Sequence, residues 1–382
     1  MLTHTQFQNL AKQFMGNAVK ATAGDNVWIE YQGDVGKTLA DACADALNDM
    51  GATPFVIDAG AGALRALFDA ADASGDREGY FKSEGAKLLE KMKTMQGYIR
   101  ICDRHETERA NFNPDDMMDY RRFMMKDVTD HRVKHTRWLV TDAPTDEFAE
   151  SCGMSRDEFD EFYYGACMAD YSLMGEAVKP LEALMTSGKK VRITGKETDI
   201  SFSIEGIPAK ECTGEFNIPD GECFTAPVKD SVNGHILYGP SSYLGTHFPW
   251  IKLTCENGRI MTAESEGDDL TKRLNDILDT DPGARYFGEF AIAFNPMVTK
   301  PVGSILFDEK IAGSFHLTPG QCYEDIAPNG NVSAVHWDMV KIQRPDFGGG
   351  DIYIDDELIR RDGIFVREDL KALNPENLLK TS

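Results

Sequence analysis

Residues 26–60 read NVWIEYQGDVGKTLADACADALNDMGATPFVIDAG. NVWIEY (26–31) is β-branched, aromatic and apolar enough for a buried strand. VGKTLADACADALNDMG (35–51) has the period of an amphipathic helix closed by Gly51, and TPFVIDAG (53–60) is a second strand. A helix between two strands joins them as a parallel pair, because only a crossover connection brings the second strand back in the same direction. The rhythm continues outward with a helix around 84–95, a strand at GYIRICD (97–103), a helix around 114–127 and a strand at TRWLVTD (136–142). Upstream, Phe7, Leu10, Ala11 and Phe14 line one face of an amphipathic helix. The expectation is an N-terminal three-layer α/β domain with a largely parallel sheet.

Two acidic helical stretches follow at 155–174 and 176–188, and near residue 189 the pattern changes. KKVRITGKETDISFSIEG reads as strand, turn and strand, and short strands separated by Gly, Pro, Asn and Asp turns then run to the C-terminus. One helix interrupts them at 268–281, with Leu270, Leu274, Ile277 and Leu278 on one face behind an aspartate cap. The expected organisation is an α/β domain over 1–188 and a strand-rich α+β domain over 189–382.

Composition narrows the function. The chain has 382 residues, is 42% hydrophobic and carries a formal charge of -23. That charge disfavours partners held by neutralised phosphates or anionic headgroups, so nucleic acid and membrane are not expected. No apolar run is long enough to span a bilayer, and the first residues lack the order of a signal peptide. The eight cysteines are scattered without a C-x-x-C pair, which fits reduced thiols in a cytoplasm.

Two familiar motifs fail. GDVGKT (33–38) lies between a strand and a helix, but the glycine that opens a phosphate loop would fall at position 31, which is Tyr. GPSSY (239–243) does not make the G-x-S-x-G turn of a serine hydrolase.

The polar residues of the second half are more informative. In SAVHWDMV (333–340), strand alternation puts His336 and Asp338 on one face and Val335, Trp337 and Met339 on the other. In GSFHLTPG, His316 shares a face with Ser314 and Thr318, opposite Phe315 and Leu317. Glu289 opposes an apolar face in ARYFGEFAIAF (284–294), Glu222 lies in NIPDGECFTAP (217–227), and Glu309 lies in ILFDEK. Each carboxylate taken singly is explained by a solvated strand face. Together, imidazole nitrogens and carboxylate oxygens suit Zn, Co, Mn or Fe, and a set rich in carboxylates offsets the charge of two divalent ions.

The runs NIPDGECFTAPVKDSVNG, GARYFGEFAIAFNP, ILFDEKIAGSFHLTPGQCY and NGNVSAVHWDMV resemble, in that order, the thermophilic metalloaminopeptidase family of the aminopeptidase T and leucyl aminopeptidase type. GMSRDEFDEFYYGACMADY upstream is similar to the same family. The resemblance implies that Glu222, Glu289, Glu309, His316, His336 and Asp338 bind two divalent cations (Zn, Co, Mn or Mg), and that Tyr323 is catalytic. Glu222 or Glu309 would carry the proton to the leaving amine. It further implies a cytoplasmic homodimer that hydrolyses the N-terminal bond of peptides through a hydroxide activated by both metals. The segment between His316 and His336 is shorter than relatives can carry. A competing reading is a mononuclear non-haem iron, ring-cleaving dioxygenase using His316, His336 and Asp338 alone. A third is a binding module whose cations only stabilise the strand-rich domain.

Overall fold

The computed structural model describes residues 1–105 and 111–380. The chain divides into two compact units, Met1–Met168 with Gly214–Pro219, and Ala169–Thr213 with Asp220–Ser382.

In the first unit, β1 (Asn26–Tyr31), β2 (Thr53–Asp58), β3 (Gly97–Cys102) and β4 (Arg137–Asp142) form a sheet in the order β2-β1-β3-β4, with every pair parallel. The helix Gly33–Asp49 makes the crossover from β1 to β2, and Gly51 follows it in the left-handed region at φ 76°. Trp28 and Tyr98, on paired strands, pack with Met92, Met95 and Val128 in one core cluster. Three details depart from expectation. A helix at Ala61–Ala73 adds to the expected elements, and the helix expected near 84–95 runs from Arg77 to Met92. The helix expected at 114–127 consists of Pro114–Asp119, a π-helical stretch Tyr120–Met125, and Lys126–His135.

The acidic helices break earlier than expected, giving Arg156–Cys167 and Tyr171–Ser187. The cause is Asp170, whose side chain caps the second helix by accepting from the Leu173 amide. The second of these helices packs on strands Lys210–Cys212 and Glu222–Thr225, so it sits with the strand-rich unit, before the boundary expected at 188. The helix Gly267–Leu278 buries Leu274, Ile277 and Leu278 but has no aspartate cap; its N-cap is Glu266, which makes no capping bond. Asp268 and Asp269 stand in the first turn instead, where the helix dipole favours negative charge.

Antiparallel sheets of eight and five strands, with a two-stranded ribbon Ser241–Tyr243/Thr246–Phe248, build this second unit. Strands of the five-stranded sheet are Lys210–Cys212, Glu222–Thr225, Phe287–Ala293, Ser314–Pro319 and Val340–Ile342. One face presents Phe290, Ile292, Phe315 and Leu317, all fully buried. Phe290 meets Phe202 of the larger sheet edge-on at 5.0 Å, and the Tyr238 hydroxyl donates to the Leu317 carbonyl at 3.1 Å. Burying each large apolar side chain there contributes roughly 1.5–3 kcal/mol, which fixes the register and hence which residues point the other way. Among the described residues no helix is long and apolar enough to cross a membrane. All eight cysteines are free, with Cys102 and Cys152 partly accessible and the others buried.

Candidate metal centre

The opposite face of the five-stranded sheet is polar and nearly as buried as the apolar one. The strand Phe287–Ala293 pairs with Ser314–Pro319 on one side and Glu222–Thr225 on the other. In that register Ala291 lies across from His316, Ala293 across from Glu222, and Glu289 across from Thr318. Residues directly opposite share a face. Two alanines therefore stand among Glu222, Glu289, His316 and Thr318, and their small side chains leave room above the sheet. Alternation alone suggests solvated strand faces for the carboxylates; strands Phe287–Ala293 and Ser314–Pro319 are instead buried at every position.

His336 and Asp338 arrive differently. Residues 333–340 do not form the expected strand: His336 makes a single bridge to Gly320, and regular pairing begins only at Val340. Alternation survives because side chains enforce it. Val335, Trp337 and Met339 are buried, and Trp337 stacks on Tyr243 at 4.8 Å and donates from its indole to the Ser241 hydroxyl. The close approach depends on Gly320, at φ 107°, where a Cβ would meet the Val335 carbonyl oxygen at 1.9 Å.

The result is two groups of potential ligands, Glu222, Glu289 and His316, and Glu289, His336 and Asp338, each with donor atoms within 4.8 Å of one another. Glu289 belongs to both. His316 Nε2 is 3.5 Å from Glu289 Oε1 and 3.6 Å from Glu222 Oε2. His336 Nε2 is 3.3 Å from both Glu289 Oε2 and Asp338 Oδ1. Glu309 lies outside both groups and pairs with Lys310 at 2.9 Å.

The sequence pattern described as thermophilic metalloprotease (M29) matches residues 3–365. The chain belongs to this family. Three similar curated proteins are aminopeptidase AmpS of Bacillus subtilis, aminopeptidase 2 of Geobacillus stearothermophilus and aminopeptidase T of Thermus thermophilus. They are 38%, 33% and 33% identical over 113, 157 and 151 residues. Those alignments cover 28%, 36% and 35% of this chain and 26%, 36% and 36% of the relatives, so the chain spans about a quarter to a third of their length. Among solved structures, wild-type AmpT from Thermus thermophilus has a TM-score of 0.75 at 18% identity, covering 95% of this chain and 99% of that one. The 2,5-dihydroxypyridine dioxygenase of Pseudomonas putida is less alike, with a TM-score of 0.60 at 14% identity over 97% and 100% of the two chains. Both support the two-part α/β and strand-rich fold.

Membership of a metalloprotease family implies a metal, and the donor set fits one. His336 Nδ1 is 2.8 Å from the Gln321 carbonyl, which only accepts, so Nδ1 carries a proton and Nε2 is the atom presented to Glu289 and Asp338. Glu222 Oε2 and His336 Nε2, which point into the donor groups, are buried without hydrogen-bond partners, and His316 presents Nε2 to Glu222 and Glu289. Imidazole lone pairs facing carboxylates repel unless a proton or cation lies between them. Ligands about 2.0–2.1 Å from a tetrahedral ion stand about 3.3–3.4 Å apart, close to the spacings found here.

The electrostatics agree. Burial pulls the His316 imidazole down, but Glu222 and Glu289 outweigh it and lift it to about 9. The same opposition, dominated by Asp338 and Glu289, raises His336 well above its ordinary value. Burial pushes Glu222 up to about 8 and raises Glu309, while Glu289 and Asp338 stay low because the imidazoles outweigh burial. Asp338 is also fixed by the Thr318 hydroxyl, which donates at 2.8 Å. Tyr323 lies beside the centre, its ring 5.3 Å from His336 and 5.1 Å from Phe224. Its side chain is 45% exposed, yet surrounding protein and the charges of Glu289, Asp338 and Glu309 hold the phenol protonated well above its usual range.

Sequence reasoning missed Lys310. It is 1% exposed and its Nζ lies 2.6 Å from Glu222, 2.9 Å from Glu309 and 3.3 Å from Asp220. A lysine entering the apolar run IAGSF was the available signal, since a charge in a buried segment requires partners.

Proposed function

We propose that this chain is a metal-dependent aminopeptidase that hydrolyses the N-terminal bond of peptides at a pair of divalent cations. Glu222, Glu289, His316, His336 and Asp338 would hold them. The observation that carries this reading is Glu289, one carboxylate shared by two three-residue donor groups, in a chain of the M29 metalloprotease family. A pair of divalent cations (Zn, Co, Mn or Mg) supplies, when bound, Lewis-acid polarisation of a carbonyl and a water acidic enough to act as a nucleophile at neutral pH.

The chain's own groups do the rest. His336 is oriented by Gln321 and Asp338 by Thr318, so neither must reorganise during turnover. The Tyr323 hydroxyl, protonated at working pH, donates to the oxyanion formed at the scissile carbonyl. Glu309, outside both groups and raised by burial, takes a proton and returns it to the leaving amine, while Glu222 serves as a ligand. The same proposal includes peptide substrates with a free N-terminus, a cytoplasmic location and a homodimer.

The dioxygenase alternative would use His316, His336 and Asp338 alone. Glu222 and Glu289 speak against it, because a mononuclear oxygen-binding centre needs open positions rather than further anions. Release of free amino acids from a dipeptide panel under Zn, Co, Mn and Mg, blocked by N-acetylation, tests the proposal. Oxygen uptake with one iron per chain and no peptide cleavage would replace it.

A further inference from the structure

Lys310 places a permanent positive charge inside the acidic cluster, and its contacts fall entirely on one side of it. Its Nζ is 2.6 Å from Glu222 Oε1, leaving only Oε2 directed toward His316. It is 2.9 Å from Glu309 Oε1, the acid that stands outside both donor groups. Its third partner, Asp220 Oδ1 at 3.3 Å, is equally buried, and the Asp220 carbonyl is itself tied by the Asn295 amide at 2.6 Å. No hydrogen bond or ion pair joins Lys310 to Asp338 or His336.

We infer that Lys310 is a built-in cation that makes the two metal positions unequal. It restricts Glu222 to one ligating oxygen and holds Glu309 as a salt-bridge partner. It also sets a like charge beside any ion bound by Glu222, Glu289 and His316. The position formed by Glu289, His336 and Asp338 is spared all three effects and fills first. The second cation then binds more weakly and exchanges more readily, so occupancy of the pair follows the supply of the metal. This inference rests on the two-cation reading above.

Calorimetric titration of the metal-free protein with Zn²⁺ tests it. The wild type is expected to show two classes of site, and Asp338→Asn should abolish the tighter one. Adding Lys310→Met should tighten the weaker class by about tenfold or more, the scale on which groups behind metal ligands act. Because Lys310→Met leaves buried carboxylates unpaired, Glu309→Gln/Lys310→Met is measured alongside it. That pair removes one charge of each sign and frees only the second Glu222 oxygen, so a smaller tightening in the same direction is expected. Two wild-type sites of equal affinity, or a weaker class that is unchanged or loosened in both variants, would overturn the inference while leaving the two-cation reading intact. A wild type that binds no zinc would remove that reading and this one together.

Discussion

Glu289 is the residue whose loss should be felt twice. Glu289→Gln keeps the shape of the side chain and its capacity to accept a hydrogen bond, but removes the charge that both donor groups share. Two unit charges about 4 Å apart at an effective dielectric near 20 interact by about 4 kcal/mol, which is a lower bound for a carboxylate beside a divalent cation. At about 1.4 kcal/mol per tenfold, that corresponds to roughly a thousandfold weaker binding at each position. Calorimetry and metal content after dialysis should therefore show both classes of site weakened together. Glu222→Gln and Asp338→Asn, each in one group only, should weaken one class apiece. If Glu289→Gln loses a single class, or keeps both within about threefold, Glu289 does not bridge and the shared-ligand reasoning fails.

Tyr323→Phe should keep full metal content and lower kcat on a Leu-anilide substrate by about 10²- to 10³-fold; an unchanged kcat removes Tyr323 from the reaction. In the metal-free protein, His316 is raised from 6.5 to about 9, so its protonation contributes stability that is complete below pH 6.5 and lost as pH rises through 9. Zinc takes the place of that proton, so the gain in Tm on adding zinc should grow between pH 6.5 and 9, and a flat difference would contradict the assignment. Gly320→Ala should cost about 1–3 kcal/mol in thermal or urea unfolding and weaken the class of site that uses His336 and Asp338, because residues 333–338 must move away from the new Cβ. An unaltered melting curve would show that the close approach is dispensable.

The parallel sheet was legible because its strands are short apolar runs set between periodic helices, a pattern that admits few alternatives. The helix Ala61–Ala73 was not, since AGALRALFDAADA is so rich in alanine that its buried face carries little contrast. Four ligand candidates, Glu289, His316, His336 and Asp338, could be picked out by odd-even alternation, which holds even where regular pairing does not: residues 333–340 alternate through the packing of Val335, Trp337 and Met339. Burial was misjudged. A carboxylate on a strand reads as solvated, and only the covering of both sheet faces shows that Glu222 and Glu289 are enclosed. Lys310 stands out against the apolar run that follows it, but its partners do not, because Glu222 lies 88 positions upstream and only the sheet brings the two together.

The most direct measurement is anomalous scattering at the zinc or manganese edge from crystals grown without chelator. Two peaks are expected, one against Glu222 and His316 and one against His336 and Asp338, with a Glu289 oxygen bound to each. A single peak ligated by His316, His336 and Asp338, with Glu289 bound to nothing, would contradict the dinuclear centre and favour the iron-type alternative.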